Sequence, residues 1–424
     1  MTRFGGFRIR QPAAKVLRVA RSEGAGVVLA RGLRKVASRI GAPPEAFPLF
    51  LEDVAAPAAV VSPPPWRRLP PAGPMVVNWV STPPGPGSGG HTTMLRMVQH
   101  LEAGGHECRL YLYDRYLGDV RDHERVVRSG WPAVRAQVLD ARAGLAPADA
   151  VFASSWQTAH VVARSGAPGR RFYLVQDFEP SFYPVSSEQV LAEATYRFGF
   201  HGITAGGWLA AKLKAEYGMQ ADWFEFGCDL DVYRLSNRGR RNGVVFYAKP
   251  DVSRRAYILG VLALAEFAAR HPEVDIHLYG NRSPRLPFRA VDHGRMTPAG
   301  LNNLYNQCAA GLSLSLTNVS LVPWEMLASG CIPVVNDAEH NRLVLDDPNV
   351  RYAELSPQAL ADALCRVVEA PDHGRPAEQA AAGVAGASWA AAGDLVESVL
   401  RRELCDPVVP GGAGPATAAP GSDR

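Results

Sequence analysis

No stretch of the sequence approaches the roughly 20 uninterrupted apolar residues that would span a bilayer. Its start, MTRFGGFRIRQPAAKVLRVA, lacks the apolar core of a secretory signal. The expectation is therefore a cytoplasmic protein. Cysteine is sparse: Cys108, Cys228, Cys308, Cys331, Cys365 and Cys405 lie far apart, with no Cys-x-x-Cys pair and no Cys/His ligand spacing. That argues against a disulfide scaffold or a structural zinc site and leaves small buried hydrophobes or idle thiols. Acid is nearly missing from one region. Residues 1–41 hold ten Lys or Arg (Arg3 to Arg39) against Glu23 alone, a local charge of +9 on a remainder of −5. A basic lead-in on an acidic body points to an anionic contact at one end, not to a nucleic-acid-binding protein throughout. The runs KVLRVA and VVLARGLRKVASRI alternate apolar and basic positions at helical spacing. Two readings stand: a helix lying on an anionic membrane surface, or a helix pair docked on the following domain.

What is present is enough for two cores. The chain has 424 residues, 47% hydrophobic and 20% charged, more than one hydrophobic core usually organises. A basic helical and proline-rich extension covers 1–74, its proline-rich part beginning near 42. Domains are expected over 75–235 and 236–385, then a helix at 386–405. The Gly/Pro/Ala-rich tail at 406–424 has a disordered composition.

Strand-like and helix-like segments alternate between these ends, the pattern of parallel sheets with crossover helices. MVVNWVS (75–81), ECRLYLYD (107–114), ADAVFAS, RRFYLVQD and FHGITAG read as strands of a first series. HTTMLRMVQHLEAGG places Met94, Met97, Val98 and Leu101 on one helical face. A second series runs from NGVVFYAKP (242–250) through the helix YILGVLALAEFAARH and DIHLYGN (275–281) to GCIPVVND (330–337). The fold class expected is α/β, two doubly wound Rossmann-like domains with the site in the cleft at the carboxyl ends of their strands.

Three segments there can carry chemistry. The loop TPPGPGSGGH (82–91) lies between strand and helix; Gly85, Gly87, Gly89 and Gly90 let a ligand approach the backbone, and free amides at a helix start favour an anion. A tight turn is the plainer reading, and the loop fits the dinucleotide fingerprint only loosely. In GLSLSLTNVSLVPWEMLASGCIPVVND (311–337), an apolar strand through Leu312, Leu314 and Leu316 ends at Thr317-Asn318-Val319-Ser320. Ser320 is a candidate helix cap and Pro323 suits a first turn. Glu325 then falls where a carboxylate can accept both hydroxyls of a ribose, while the amides of 318–322 face a pyrophosphate. Lys249, Arg254 and Arg255, in YAKPDVSRRAY, follow the first strand of the second series. Fixed cations there can stabilise a departing diphosphate without a metal. In RRFYLVQDFEPSFYP (171–184), Asp177 or Glu179 can orient or deprotonate an acceptor hydroxyl, or both are plain loop acids.

Taken together, 75–370 resembles the retaining glycosyltransferases of family 4, whose architecture is GT-B. Val244 to Asp337 looks like the family's donor-binding domain, and FEFGCDLDVYRL, with Gly227 and Asp229, is similar to its inter-domain stretch. GSGGH resembles its N-terminal Gly-Gly loop. QDFE-x-x-F-Y, Y-A-[RK]-P…RR and S-L-T-N-x-S-L-x-P-x-E-M are most similar to the bacterial surface-glycan rhamnosyltransferases. The resemblance implies a metal-independent transferase with no cofactor, moving a hexose or deoxyhexose, rhamnose first (dTDP-rhamnose as one donor), to a glycan or lipid-linked acceptor with retention. It places Gly89, Gly90, Lys249, Arg254 and Arg255 on the donor diphosphate, and Glu325 on the ribose. Asn318, Val319 and Ser320 would lie along the donor sugar and phosphate. Asp177, of the two loop acids, is the candidate catalytic residue. His293 resembles a structural His of the family, and His91 either touches the donor or helps open its helix. Of the family's two glutamates, the first is replaced by Thr317. Two other readings stay open: a catalytically inactive scaffold of the same fold, and a nucleotide-sugar epimerase. The partners implied are a nucleotide sugar, a glycan acceptor and, through 1–41, an anionic inner membrane face; nucleic acid is not among them.

Overall fold

The structure, a computed structural model, describes residues 49–56, 66, 68–70, 73–85 and 87–405. The basic segment 1–41, the tail 406–424 and much of the proline-rich stretch lie outside the described residues, and so do the readings made of them.

The first series forms a sheet of seven parallel strands: β1 (Val76–Ser81), β2 (Glu107–Leu112), β3 (Gln137–Asp140), β4 (Ala150–Ala153), β5 (Arg170–Val175), β6 (His201–Ala205) and β7 (Ala221–Phe224). Their order is β3-β2-β1-β4-β5-β6-β7, so the winding reverses between β1 and β4. The inner strands are buried along nearly their whole length because helices cover both faces. Trp79, Phe152 and Phe172 are register partners across β1, β4 and β5 and stack, with ring centroids 4.0 and 5.0 Å apart. The connecting helices are α1 (Gly89–Ala103), α2 (Val120–Gly130), α3 (Trp156–Arg164), α4 (Ser187–Ala194) and α5 (Gly207–Tyr217). On α1, Met94, Met97, Val98 and Leu101 all point into the core, as their spacing predicts.

The second sheet has six parallel strands: β8 (Val244–Ala248), β9 (Ile276–Gly280), β10 (Val291–Asp292), β11 (Ala310–Leu312), β12 (Ile332–Asn336) and β13 (Arg351–Ala353). Its order, β10-β9-β8-β11-β12-β13, reverses between β8 and β11. The helices here are α6 (Tyr257–Arg270), α7 (Pro298–Gln307), α8 (Val322–Ala328), α9 (Glu339–Arg342), α10 (Pro357–Val368) and α11 (Gly374–Gly383). Each sheet is thus doubly wound, with a reversal point at which ligands of such folds bind.

Two local expectations are corrected. The strand expected to run through Leu316 stops at Leu312. Beyond it the chain leaves the sheet: the carbonyl of Ser315 is taken by the side chains of Asn336 and His340, and Leu316 faces outward. Ser320 caps nothing; α8 opens from Leu321 without a side-chain cap, and Pro323 does sit in its first turn.

A last helix, α12 (Trp389–Leu404), returns to the first sheet and packs on α1 and β7. Arg170 pairs with Glu403 and Arg402 with Asp222, while Nε2 of His106 lies 3.3 Å from Glu397. Where the chain crosses, Gly227 is pressed against Trp389: a Cβ there would lie 2.6 Å from the Trp389 amide nitrogen.

Candidate functional site

The carboxyl edges of both sheets meet in one cleft, and the loops that carry the expected residues line it. On the first sheet, the loop after β1 ends at Ser88, whose side chain caps α1. His91 is held inside this loop. Its Nε2 lies 3.1 Å from the carbonyl of Thr82 and its Nδ1 2.8 Å from the Ser88 hydroxyl. Nε2–H therefore donates to the carbonyl, and a Ser88 hydroxyl that donates to Nδ1 suits the neutral ring. Burial lowers the pKa of His91 in the same sense, with the Thr82 bond opposing it. A Cβ added at Gly89 would meet nothing within 4 Å, so there is room for a ligand over the start of α1. Gly90 faces the Gln176 side chain, whose Nε2 donates to the Gly90 carbonyl at 2.9 Å.

Gln176 begins the loop after β5, and the next residue faces the other domain. Asp177 Oδ1 accepts the Asn318 amide at 2.9 Å and that of Phe178 at 2.9 Å. Its Oδ2 accepts Arg254 Nε at 3.1 Å. The Asn318 side chain donates to the carbonyls of Gln176 at 3.0 Å and Ala205 at 2.7 Å, and it has no exposed surface. Nearby, Gly206 (φ +86°) admits Val344 of the other domain, which would lie 2.7 Å from a Cβ there. The ring of Trp208 lies 5.4 Å from that of His340. Asn318 was expected along the donor; the structure makes it the clasp between domains, which no local pattern in the sequence announces. Val319 beside it is in the core, and Ser320 is partly exposed.

Glu179 has a separate job. It is buried, accepting the Trp156 amide at the start of α3 at 2.7 Å and the Tyr173 hydroxyl at 3.2 Å. Burial pushes its carboxyl up to about 8, while these two bonds pull the other way.

Cations gather at the carboxyl edge of β8, beside the reversal point. Arg254 lies over the ring of Phe182, 3.9 Å from its centroid. Arg255 Nη1 donates to Ser315 Oγ at 2.7 Å and to the Asn318 carbonyl at 3.3 Å. Burial lowers its pKa, with Asp177 opposing. Lys249 reaches Asn281 Oδ1 at 3.3 Å. Burial lowers its pKa too; Asp251 counters, and Arg295, Arg255 and Arg254 add to the lowering. Among the described residues neither Lys249 nor Arg255 has a carboxylate ion pair, and of the three cations Arg254 alone is paired, with Asp177.

Glu325 lies on α8 among tyrosines. Tyr305 OH donates to it at 3.4 Å, and Tyr233 is a second hydrogen-bond partner. Burial raises its carboxyl to about 7, against those bonds, with Asp229 adding and Arg96 subtracting. Arg96, from α1, pairs with Asp229 beneath the Trp389 ring. Tyr247 is within reach of the charges of both Arg255 and Glu325.

One further cluster was missed at sequence level. His271, Cys365 and Glu369 bring ligand atoms within 4.8 Å of one another, although the residues come from distant segments. They lie around the end of α6 and α10, at the amino edge of the second sheet, not in the cleft.

Family models match the chain in two places: "WsaF, N-terminal domain" over residues 136–205 and "WsaF, C-terminal domain" over residues 242–365. The chain is 33% identical over 285 residues to the "O-antigen biosynthesis protein RfbC" of Myxococcus xanthus, an alignment that covers 62% of this chain and 22% of that protein. The chain thus spans about a fifth of that relative. HepE from Anabaena, solved with UDP and glucose, is similar at a TM-score of 0.58 with 15% identity, over 78% of this chain and 99% of that one. WaaG, described as a glycosyltransferase involved in lipopolysaccharide biosynthesis, is similar at 0.55 with 13% identity, over 76% and 99%. The architecture is GT-B. A putative UDP-N-acetylglucosamine 2-epimerase from Listeria monocytogenes is similar as well (TM-score 0.52, 11% identity, 78% and 97% covered), so the fold alone does not fix the chemistry.

Proposed function

We propose that the chain is a glycosyltransferase of surface-glycan assembly, taking a sugar from a nucleoside diphosphate and passing it to a glycan or lipid-linked acceptor with retention, as in family 4. The observation that carries this reading is the group Lys249, Arg254 and Arg255 at the carboxyl edge of β8, opposite the open glycine start of α1. A diphosphate between them meets cations on one side and the free amides of Gly89 and Gly90 on the other. The relative from Myxococcus xanthus supports the setting by its description.

In this reading the anomeric C–O bond to the diphosphate breaks and a bond to the acceptor oxygen forms on the same face. The acceptor proton passes to the departing phosphate. The three cations stabilise the charge growing on that phosphate, so the reaction is assigned no metal and no cofactor. Glu325, once ionised, accepts the ribose hydroxyls beside the tyrosines. Asp177 lies close to the reacting centre, and the proton goes to the departing phosphate rather than to it. Rhamnose is the proposed sugar, carried over with the motifs shared with rhamnosyltransferases, and dTDP the first nucleotide to try. An inner-membrane-face location, through residues 1–41, belongs to the same proposal.

The test is a thermal-shift panel of dTDP, UDP, GDP, ADP and NAD at millimolar concentration. A micromolar site raises the melting temperature by mass action. A selective shift with one nucleoside diphosphate, lost in Glu325→Ala, supports the reading. A shift with NAD alone, or with no diphosphate, overturns it. Turnover of the nucleotide sugar without any acceptor would favour an epimerase, and binding without turnover an inactive scaffold.

A further inference from the structure

Asp177 sits where a carboxylate is costly for binding an anion. Three N–H donors converge on it, two of them from the opposite domain: the Asn318 amide and Arg254 Nε. Both belong to the segments that would surround the donor's diphosphate. The clasp does not depend on Asp177, because the Asn318 side chain holds the carbonyls of Gln176 and Ala205 by itself. The carboxylate's distinct effect is charge: among the described residues it is the acid paired with this cluster of cations.

Resting on the transferase reading above, we propose that Asp177 is an internal stand-in for the diphosphate. It engages Arg254 and the loop amide until the donor enters, and then yields them. It is a positioning residue: it keeps Arg254 extended over Phe182 and the 315–320 loop in place, and it lowers the affinity for competing anions. An incoming diphosphate offers the same acceptor atoms with more charge, so it takes over both donors. Asp177 then turns away from the anion, which also opens the Asn318 loop to adjust.

The experiment compares wild-type protein with Asp177→Asn and Asp177→Ser by calorimetric titration with inorganic pyrophosphate and with UDP and dTDP, at low and high salt. Either variant serves if the other does not fold. The expected result is pyrophosphate binding at least fivefold tighter in the variant, with the gain shrinking at high salt. A residue that only supports the fold would lower the melting temperature without tightening the anion. Unchanged or weaker pyrophosphate binding in a folded variant overturns the proposal. So does a kcat lowered a hundredfold or more at unchanged donor affinity, the mark of a catalytic base. Tighter pyrophosphate in the variant, with no nucleoside diphosphate bound by either protein, keeps the stand-in and sinks the transferase reading instead.

Discussion

Tyr305 donates its hydroxyl to Glu325 at 3.4 Å while sharing a 2.5 Å hydrogen bond with Tyr279, so the acid at the start of α8 is held by a relay of two buried phenols. Such a site stabilises a carboxylate by hydrogen bonding and opposes it by burial, and burial is the larger effect.

That balance gives a pH dependence. Glu325 is raised from 4.5 to about 7, so its folded state binds a proton that the unfolded chain has already released. Its contribution to stability is complete below about pH 4.5 and is lost as pH rises through about 7. The melting temperature of wild type is expected to fall between pH 5 and 8 more steeply than that of Glu325→Gln. Glu179, raised to about 8, leaves part of the slope in both. Equal slopes in the two proteins would place the burial of Glu325 in doubt.

Arg255 is a cation with neutral partners only, Ser315 and the Asn318 carbonyl. Its replacement by Met removes a charge whose burial is costly, so the melting temperature should hold or rise. Diphosphate binding should weaken by about 10- to 100-fold, the equivalent of one charge-assisted hydrogen bond. Calorimetry and a thermal scan on the same sample check both halves.

Gly206→Ala tests the fit between domains. The position has φ +86°, and the new Cβ would lie 2.7 Å from Val344. With ψ at 150° the backbone lies in a region that is essentially glycine's alone; strain there costs about 1–3 kcal/mol, and the contact adds to it. Lower stability, and a cleft more open by solution scattering, are expected; a neutral change would mean that the domains do not meet there.

Phe152→Ala removes the middle ring of the Trp79–Phe152–Phe172 stack. About 3–5 kcal/mol of stability should go with it, measured by urea unfolding. The donor-side sheet does not share this stack, so a second, unaffected transition is the outcome to look for.

Much of the architecture was legible because it rests on local patterns. The α1 face of Met94, Met97, Val98 and Leu101 and the apolar runs at β1, β5, β8 and β12 announce buried elements by period and length alone. The cation group after β8 was legible too, since Lys249, Arg254 and Arg255 are close in sequence. The bonds across the cleft were not. Asp177 and Arg254 are 77 residues apart, and Asn318 reaches a carbonyl 113 residues away. Nothing in a loop asparagine tells whether it faces a ligand or another domain. Ser320 misled because cap preference reads residue type, while the backbone at Leu321 already turns into α8. β3, β7, β10 and β13, mostly short strands at or near the sheet edges, left too few residues for a pattern.

The return of α12 to the first sheet means that the polypeptide passes between the two halves twice, once near Gly227 and once just before Trp389, at places that touch. Two adjacent straps make a hinge of the door kind: the halves can swing about the line through both crossings, but a twist would stretch one strap against the other. The opening of the cleft is thereby reduced to nearly a single degree of freedom. Cutting the chain before Trp389 should free the twist and unseat α1 while leaving the second sheet folded.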